Sequence, residues 1–440
     1  MEARHGILAL MGSGETSPTM VTLHRELATS SGLGPDAGAV ILETPYGFQV
    51  NRDDISARAR QYFQRSVGLA TAVVPDEVRL TSVEADRDRL RDQVRTAGWV
   101  FSGPGSPSYA LGRWRDQGLG QVLVDRVRRG YGVTVMASAA ACTVGLAALP
   151  VYEVYKAGHP PAWLDGLDLL GVLGLAVAVI PHYDNAEGGT HDTRFCYLGE
   201  TRLAVLEEEL PGGSAVLGID EHTAVVIDLA DRVARVWGKG VMTVRRHGVS
   251  TEVPAGSVLP LDALRGLLAG TVTSGSTVPR QSAAGPDDAP AETGGPATLQ
   301  ETASAAETRF ATARAAGDAE RMVEAVLDLE DAITQWGADT EEDEGGQQWA
   351  RTILRGMLRQ LAQPARQGMV EPERTLGRVL DPLLDLRREL RVQGAYELAD
   401  RLRASLAAGG VQLRDDARGS RWRLLPVEPE QSSGSGSRLL

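Results

Sequence analysis

Cysteine is almost missing from the chain: Cys142 and Cys196 are the only two in 440 residues. Two cysteines cannot build a disulfide framework or a four-cysteine zinc site, and isolated ones ordinarily serve as small buried hydrophobes. Lysine is equally scarce, with Lys156 and Lys239 alone among the arginines, a bias of genome composition rather than of function. Positive charge is in deficit, since 45 Lys and Arg face 58 Asp and Glu for a net charge of −13. That balance argues against a broad grip on nucleic acid, although a local basic face remains open. Long apolar runs are also lacking. The first, Gly6 to Met11, is shorter than the apolar part of a signal peptide, and Leu167 to Ile180 contains glycines and an aspartate and falls short of a span. The expectation is a cytoplasmic protein with no membrane partner.

What is present is a soluble globular composition, 42% hydrophobic and 23% charged, in a chain long enough for two or three domains. Up to about residue 255 short apolar runs alternate with amphipathic stretches: Gly6–Met11, Ala39–Leu42, Thr71–Val74 and Gly98–Phe101 read as strands, with helices between them. This alternation predicts an α/β fold with a doubly wound, mostly parallel sheet. Val151–Lys156 reads as a further strand-like segment, and Ala224–Leu229 and Val233–Trp237 as hairpin strands ending near Val253. Residues 271–298 are rich in Ser, Thr, Gly, Pro and Ala without periodicity, which predicts a flexible linker. Beyond it, apolar residues at helical spacing predict a small, mainly helical domain over 299–425, and a Ser/Gly tail occupies 426–440. The front domain accordingly spans 1–270.

The chemistry centres on Gly132-Val-Thr-Val-Met136-Ala-Ser138-Ala-Ala140. A buried strand that turns sharply through small residues around a serine, into a segment able to begin a helix at Thr143, has the logic of a nucleophile elbow. The usual elbow has glycine on both sides of the serine; here alanine stands in both places. Ser138 as nucleophile requires a base, an acid to orient it and donors for an oxyanion. His182, directly after Pro181 and a buried strand, is the candidate base, with His191 as the alternative. Glu221 and Glu153 compete for the acid. The oxyanion donors would be the Ala139 N–H and an N–H from Gly103 or Gly105 in the loop Ser102-Gly-Pro-Gly-Ser106-Pro107, since Pro104 has none. His182, Asp184, His191 and Asp192 fall within eleven positions, but their spacing fits no metal motif with a stated mechanism. No metal and no cofactor is expected. The pair of glycines in Gly12-Ser-Gly14 lacks the third glycine of a dinucleotide fingerprint and reads as a tight strand-to-helix turn.

Four segments in order resemble the serine peptidases of the cyanophycinase and dipeptidase E group, peptidase family S51, over about residues 5–255. Met-Ala-Ser138-Ala-Ala is similar to that group's Gly-x-Ser-Ala-Gly elbow, and Phe101-Ser-Gly-Pro-Gly-Ser106 to its Phe-x-Gly-Gly-Gly loop. Pro181-His-Tyr-Asp-Asn185 matches the Pro-His-Phe/Tyr of the dipeptidase branch, and Gly218-Ile-Asp-Glu-His-Thr-Ala224 resembles the Gly-Ile-Asp-Glu-Asn-Thr-Ala of the cyanophycinase branch. The resemblance implies the fold of class I glutamine amidotransferases, with serine in place of their cysteine. It also implies hydrolysis of a small peptide or amide through an acyl-serine, with Ser138 as nucleophile and His182 as base. It divides the acid between Glu221, on the cyanophycinase pattern, and Glu153, on the dipeptidase pattern, and the first is preferred. The Arg-rich segment that cyanophycinases carry after the histidine is largely absent, which argues against cyanophycin as substrate.

The carboxyl-terminal part has a second resemblance. Asp381-Pro-Leu-Leu-Asp-Leu-Arg-Arg-Glu-Leu390, Ala395-Tyr-Glu-Leu-Ala-Asp400 and Gly410-Val-Gln-Leu-Arg-Asp415 through Trp422 look like the end of cysteinyl-tRNA synthetase. Residues 378–422 carry the specific match and 299–377 a weaker one. The synthetase signatures His-Ile-Gly-His and Lys-Met-Ser-Lys-Ser are absent, so aminoacylation is not expected. What the resemblance implies is a local tRNA contact through Arg387, Arg388, Arg391, Arg401, Arg403 and Arg421. The alternative is a bundle that binds protein or forms a homodimer. The competing readings of the whole chain are therefore a serine hydrolase, a non-catalytic ligand binder and a tRNA-associated protein.

Overall fold

A computed structural model describes residues 6–32, 38–76, 84–186, 191–271, 298–336, 344–368, 372–416 and 419–425. Nearly all of the expected linker and the whole Ser/Gly tail lie outside the described residues. The chain packs as two compact units, one comprising Met1–Thr312 with Val323–Leu354, the other Ala313–Met322 with Arg355–Leu440.

The first unit is α/β. In chain order its strands are β1 (Ile7–Met11), β2 (Ala39–Leu42), β3 (Ala72–Val74), β4 (Trp99–Ser102), β5 (Val133–Ala137), β6 (Ala147–Ala148), β7 (Leu164–Asp165), β8 (Val177–Ile180), β9 (Ala215–Ile219), β10 (Thr223–Asp228), β11 (Val233–Gly238), β12 (Val241–Arg246), β13 (Val249–Pro254) and β14 (Val258–Pro260). They form an eight-stranded sheet, β14-β11-β10-β1-β5-β4-β2-β3, and a six-stranded sheet, β13-β12-β9-β8-β6-β7. β1, β5, β4, β2 and β3 run parallel, as do β6, β8 and β9. β1, β5 and β8 are buried along their whole length, which is why they read as unbroken apolar runs rather than alternating ones. The parallel strands β5, β8 and β9 all end towards one cleft, where ligands bind in folds of this kind.

Three segments differ from the sequence reading. Val151–Tyr155 is a helix, not a strand. Its apolar residues Val151 and Val154 are the buried ones, three apart, and five residues are too few to separate period two from period three. The helix expected from Thr143 instead begins at Ser138 and stops at Cys142. Gly145 then lies so close to the Val177 carbonyl that a Cβ would sit 2.2 Å from it, and Ala147 pairs with Ala178. The pull of β8 ends the helix. Beyond Val253 a further helix, Leu261–Ala269, buries Leu261, Leu264 and Leu268 and closes at Gly270 with φ 67°. Pro260 and Gly270 mark both its ends in the sequence.

One buried cation locks the parallel sheet. Arg126, 2% exposed, donates to the carbonyls of Val94 (2.9 Å), Ala97 (2.7 Å) and Val133 (3.2 Å), and burial pulls its pKa down to about 10. Arg126→Met would leave these acceptors dry and unpaired, for a loss of about 3 kcal/mol. Urea unfolding followed by circular dichroism is expected to show the lower midpoint.

The helical segments Leu299–Ala316 and Ala319–Trp336 are separated at Gly317, which takes φ 70°. The second unit adds Pro372–Val392, Tyr396–Ala408 and the hairpin β15 (Val411–Asp416) and β16 (Gly419–Leu424), packed around Leu380, Leu384, Val411 and Leu413. Arg387 is buried there and grips Asp415 with two bonds of 2.8 and 2.9 Å. Hydrogen bonds from Arg387 and Ser420 hold the Asp415 pKa down to about 2. Arg387 is thus spent on the interior of its own unit and is withdrawn from the set of arginines expected to meet a nucleic acid.

Candidate active site

Ser138 stands where β5 ends. Ala137 is extended (φ −124°, ψ 153°) and Ser138 is left-handed at φ 45°, a reversal that costs a side-chain-bearing residue about 1–2 kcal/mol. Ala137, Ala139, Ala140 and Ala141 are all buried around the turn. Alanine is small enough to let this elbow form without the usual glycines.

The serine hydroxyl lies 3.0 Å from His182 Nε2, and His182 Nδ1 lies 3.1 Å from Glu221 Oε1. His182 follows β8 and Glu221 follows β9; the two strands are parallel neighbours, with Ile180 opposite Gly218. Adjacent strand ends therefore deliver both residues to the same place. Gly218 is required there because a Cβ would sit 2.4 Å from the Tyr183 ring. With Nδ1–H donating to Glu221, Nε2 is left as the acceptor of the serine proton.

Glu221 is fixed from three sides. Its carboxylate also accepts from Asn185 Nδ2 at 3.1 Å, and its backbone N–H donates to Asp184 Oδ1 at 2.7 Å. Burial alone would push its pKa up, yet the His182 and Asn185 hydrogen bonds bring it below the ordinary glutamate value. For His182 burial lowers the pKa, but the Glu221 hydrogen bond and neighbouring negative charge outweigh it and hold the imidazole at about 9. Asp184 and Asn185 belong to a segment singled out in the sequence, but their support of Glu221 depends on a fold-back that spacing does not reveal.

The other sequence candidates fall as follows. Glu153 does not line the cavity at Ser138; it accepts from Ser108 Oγ at 2.5 Å, beside a separate cavity of about 430 Å³. His191 is exposed and does not line the cavity at Ser138. Gly105 does line it, with φ 133°, and is clamped so tightly that a Cβ would meet the Pro45 carbonyl at 2.1 Å. Ala139 also lines it, whereas Gly103 lies one step back, its carbonyl accepting from Ala140 N–H at 3.3 Å. Ser106 caps the helix Pro107–Gln117 through Tyr109 N–H and donates its own N–H to Pro45.

The cavity at Ser138 measures about 330 Å³, the small end of ligand pockets. Tyr46, Tyr152, Tyr155 and Tyr197 wall it, and Lys156, Gln49, Ser13 and His222 bring polar groups. Of nine non-glycine residues with left-handed backbone among the described residues, five border this space: Ser138, His182, Cys196, Tyr197 and His222. Such strain persists where the surrounding packing over-determines it. The two cysteines, expected as separate buried hydrophobes, are both free and buried but meet at the cavity wall; a hydrogen bond between the two thiols raises the pKa of Cys142 and lowers that of Cys196. Among the described residues no group of three or more His, Cys, Asp or Glu side chains is placed to hold a metal ion, and no helix is long and apolar enough to cross a membrane.

No protein-family model matches the chain. Among curated proteins it is similar to the cysteine–tRNA ligase of Dehalococcoides mccartyi (strain ATCC BAA-2266 / KCTC 15142 / 195), 44% identical over 45 residues of the carboxyl-terminal region. That match covers 10% of this chain and 10% of the ligase, so the chain spans about a tenth of the curated relative's length. Among solved structures, a peptidase from an acI-B1 actinobacterium superposes with a TM-score of 0.46 at 20% identity, covering 59% of this chain and 98% of that one. A provisionally assigned peptidase E protein from Listeria monocytogenes EGD-e gives 0.34 at 12%, covering 57% and 99%.

Proposed function

We propose that this protein is a serine-type hydrolase, a peptidase or amidase of the cyanophycinase and dipeptidase E kind, acting on a small peptide or amide through an acyl-Ser138 intermediate. The observation that carries the reading is the continuous hydrogen-bonded chain Ser138–His182–Glu221, beginning on a strained strand-to-helix turn at a small cavity. In this reading Ser138 Oγ attacks the substrate carbonyl as its proton passes to His182 Nε2, and Glu221 stabilises the imidazolium. The oxyanion is taken by the N–H groups of Ala139 and Gly105. The imidazolium then protonates the departing amine. Water, deprotonated by His182, cleaves the acyl-serine and returns the free carboxylate and the hydroxyl.

The test combines a label and a substrate search. An aryl sulfonyl fluoride should add one aryl sulfonyl group to Ser138, located by peptide mass spectrometry, and the His182→Ala protein should label far more slowly. A pool of dipeptides, isopeptides and small amides should lose a member to the wild type but not to Ser138→Ala. Equal consumption by both proteins would end the proposal. Glu153→Gln should keep kcat within about threefold of wild type on the same substrate, because Glu153 hydrogen-bonds Ser108 rather than the imidazole.

For the second unit we propose recognition rather than chemistry, a local contact with tRNA by exposed arginines such as Arg388, Arg391 and Arg401. The match of 45 residues to a tRNA ligase favours it. Filter binding of full-length protein to bulk tRNA should weaken steeply with salt; binding unchanged by Arg388→Glu and Arg401→Glu together would rule it out.

A further inference from the structure

One residue that lines the cavity at Ser138, His222, meets a residue from far along the chain. The helix Ala319–Trp336 ends on Trp336, whose ring meets that of His222 edge to face, with centroids 5.6 Å apart and planes at 87°. Trp336 is only 8% exposed. His222 borders the cavity directly after Glu221, on a left-handed backbone with φ 51°. Its N–H donates to Ser13 Oγ at 3.3 Å, and its Nδ1 shares a hydrogen bond with Thr19 Oγ1 at 3.1 Å. At the same ring atom Gly14 packs so closely that a Cβ would sit 2.1 Å from it. The same helical layer is tied in a second time, through an ion pair between Lys239 Nζ and Glu301, and Lys239 N–H donates to the His222 carbonyl at 3.1 Å. Residues 299–312 and 323–354 accordingly pack as part of the α/β unit.

We infer that Trp336 is a positioning residue of the cleft, holding His222 as a fixed wall beside Glu221, so that the helical residues 299–312 and 323–336 of the same unit form a working part of the site. This rests on the hydrolase reading for its kinetic consequence, but the clamp itself does not. Thr19 and Ser13 hold the His222 ring and backbone by hydrogen bonds; Trp336 supplies the apolar surface that meets the ring edge to face. Without it the imidazole can rotate, and the wall that a small substrate presses against is lost.

A second consequence concerns charge. Burial keeps His222 below its ordinary pKa, reinforced by Lys239 and His182 and opposed by Glu221 and Glu301. Uncovering the ring lets it take a proton in mildly acidic solution. The new cation then competes with His182 for the Glu221 carboxylate and disfavours the imidazolium that His182 must become.

The experiment uses full-length protein. The His222 ring resonance, assigned by its loss in His222→Gln, is titrated by NMR in wild type, Trp336→Ala and Trp336→Phe. Trp336→Ala should move the His222 midpoint upward towards 6.5, and Trp336→Phe should largely restore it. If Trp336→Ala fails to fold, Trp336→Leu, which removes the ring but keeps an apolar side chain against His222, should produce a smaller shift in the same direction. On a dipeptide whose turnover depends on Ser138, Trp336→Ala should raise KM about tenfold with kcat changed less. An unmoved His222 titration overturns the clamp whatever the enzyme does. A moved titration with unchanged KM overturns the positioning role, and turnover that survives Ser138→Ala overturns the hydrolase reading instead.

Discussion

Alanine at position 138 is expected to lower kcat by about 10³-fold or more while leaving KM within a few fold, because the hydroxyl acts in bond formation and not in holding the ground state. The serine and its base work as one unit, so His182→Ala should cost about as much, and the double variant little more than either alone. Single-turnover mass spectrometry should find a substrate acyl group on the wild type and none on Ser138→Ala. A separate readout guards against a merely structural explanation. Ser138 is held at φ 45°, where glycine carries no penalty, so Ser138→Gly should be as inactive as Ser138→Ala yet more stable by about 1 kcal/mol. A variant that loses activity while gaining stability has lost chemistry, not fold. Thermal unfolding of the three proteins measures the difference.

Much of this site was legible in the linear chain, for reasons that can be given residue by residue. β5, β8 and β9 are each short apolar runs buried on both faces, and in each case the polar residue that follows, Ser138, His182 or Glu221, comes at or just beyond the strand's end. A residue placed there in a parallel α/β fold faces the cleft. The choice between Glu221 and Glu153 was not legible to the same degree. Both follow apolar segments, and only the pairing of β8 with β9 puts one of them beside the imidazole. Glu153 was further obscured because Val151–Tyr155 is a single turn-and-a-half of helix, too short to declare its period. The Trp336–His222 contact was invisible for a plainer reason. Trp336 looks like any other apolar residue on an amphipathic helix, and nothing local says which surface that helix covers. The meeting of Cys142 with Cys196 was hidden likewise, since two cysteines in different segments carry no spacing rule once a metal and a disulfide framework are set aside.

Glu221→Gln should separate the two candidate acids by pH as well as by rate. The change keeps the shape of the side chain but removes the charge that stabilises the His182 imidazolium and fixes its tautomer, and a loss of about 10²- to 10⁴-fold in kcat is expected. The direction of the pH effect follows from the balance at His182. Burial pulls its pKa down, the Glu221 hydrogen bond and the surrounding negative charge pull it up, and the result is about 9. Since only the neutral imidazole can accept the serine proton, kcat/KM in the wild type should climb with pH along a limb set near that value. In the Glu221→Gln protein the Glu221 share of the upward pull is gone, leaving Cys196 and Glu15 against burial, so the limb should move to lower pH. The variant is then slower at every pH yet keeps a larger share of its own maximum at pH 6. Asn185→Ala, which removes one of the bonds holding the carboxylate, should move the limb in the same direction by less. Glu153→Gln, at a side chain bonded to Ser108 instead, should leave it in place. A limb that shifts with Glu153 and stays put with Glu221 would transfer the role to the other acid and require the helix Val151–Tyr155 to swing towards His182 when substrate binds.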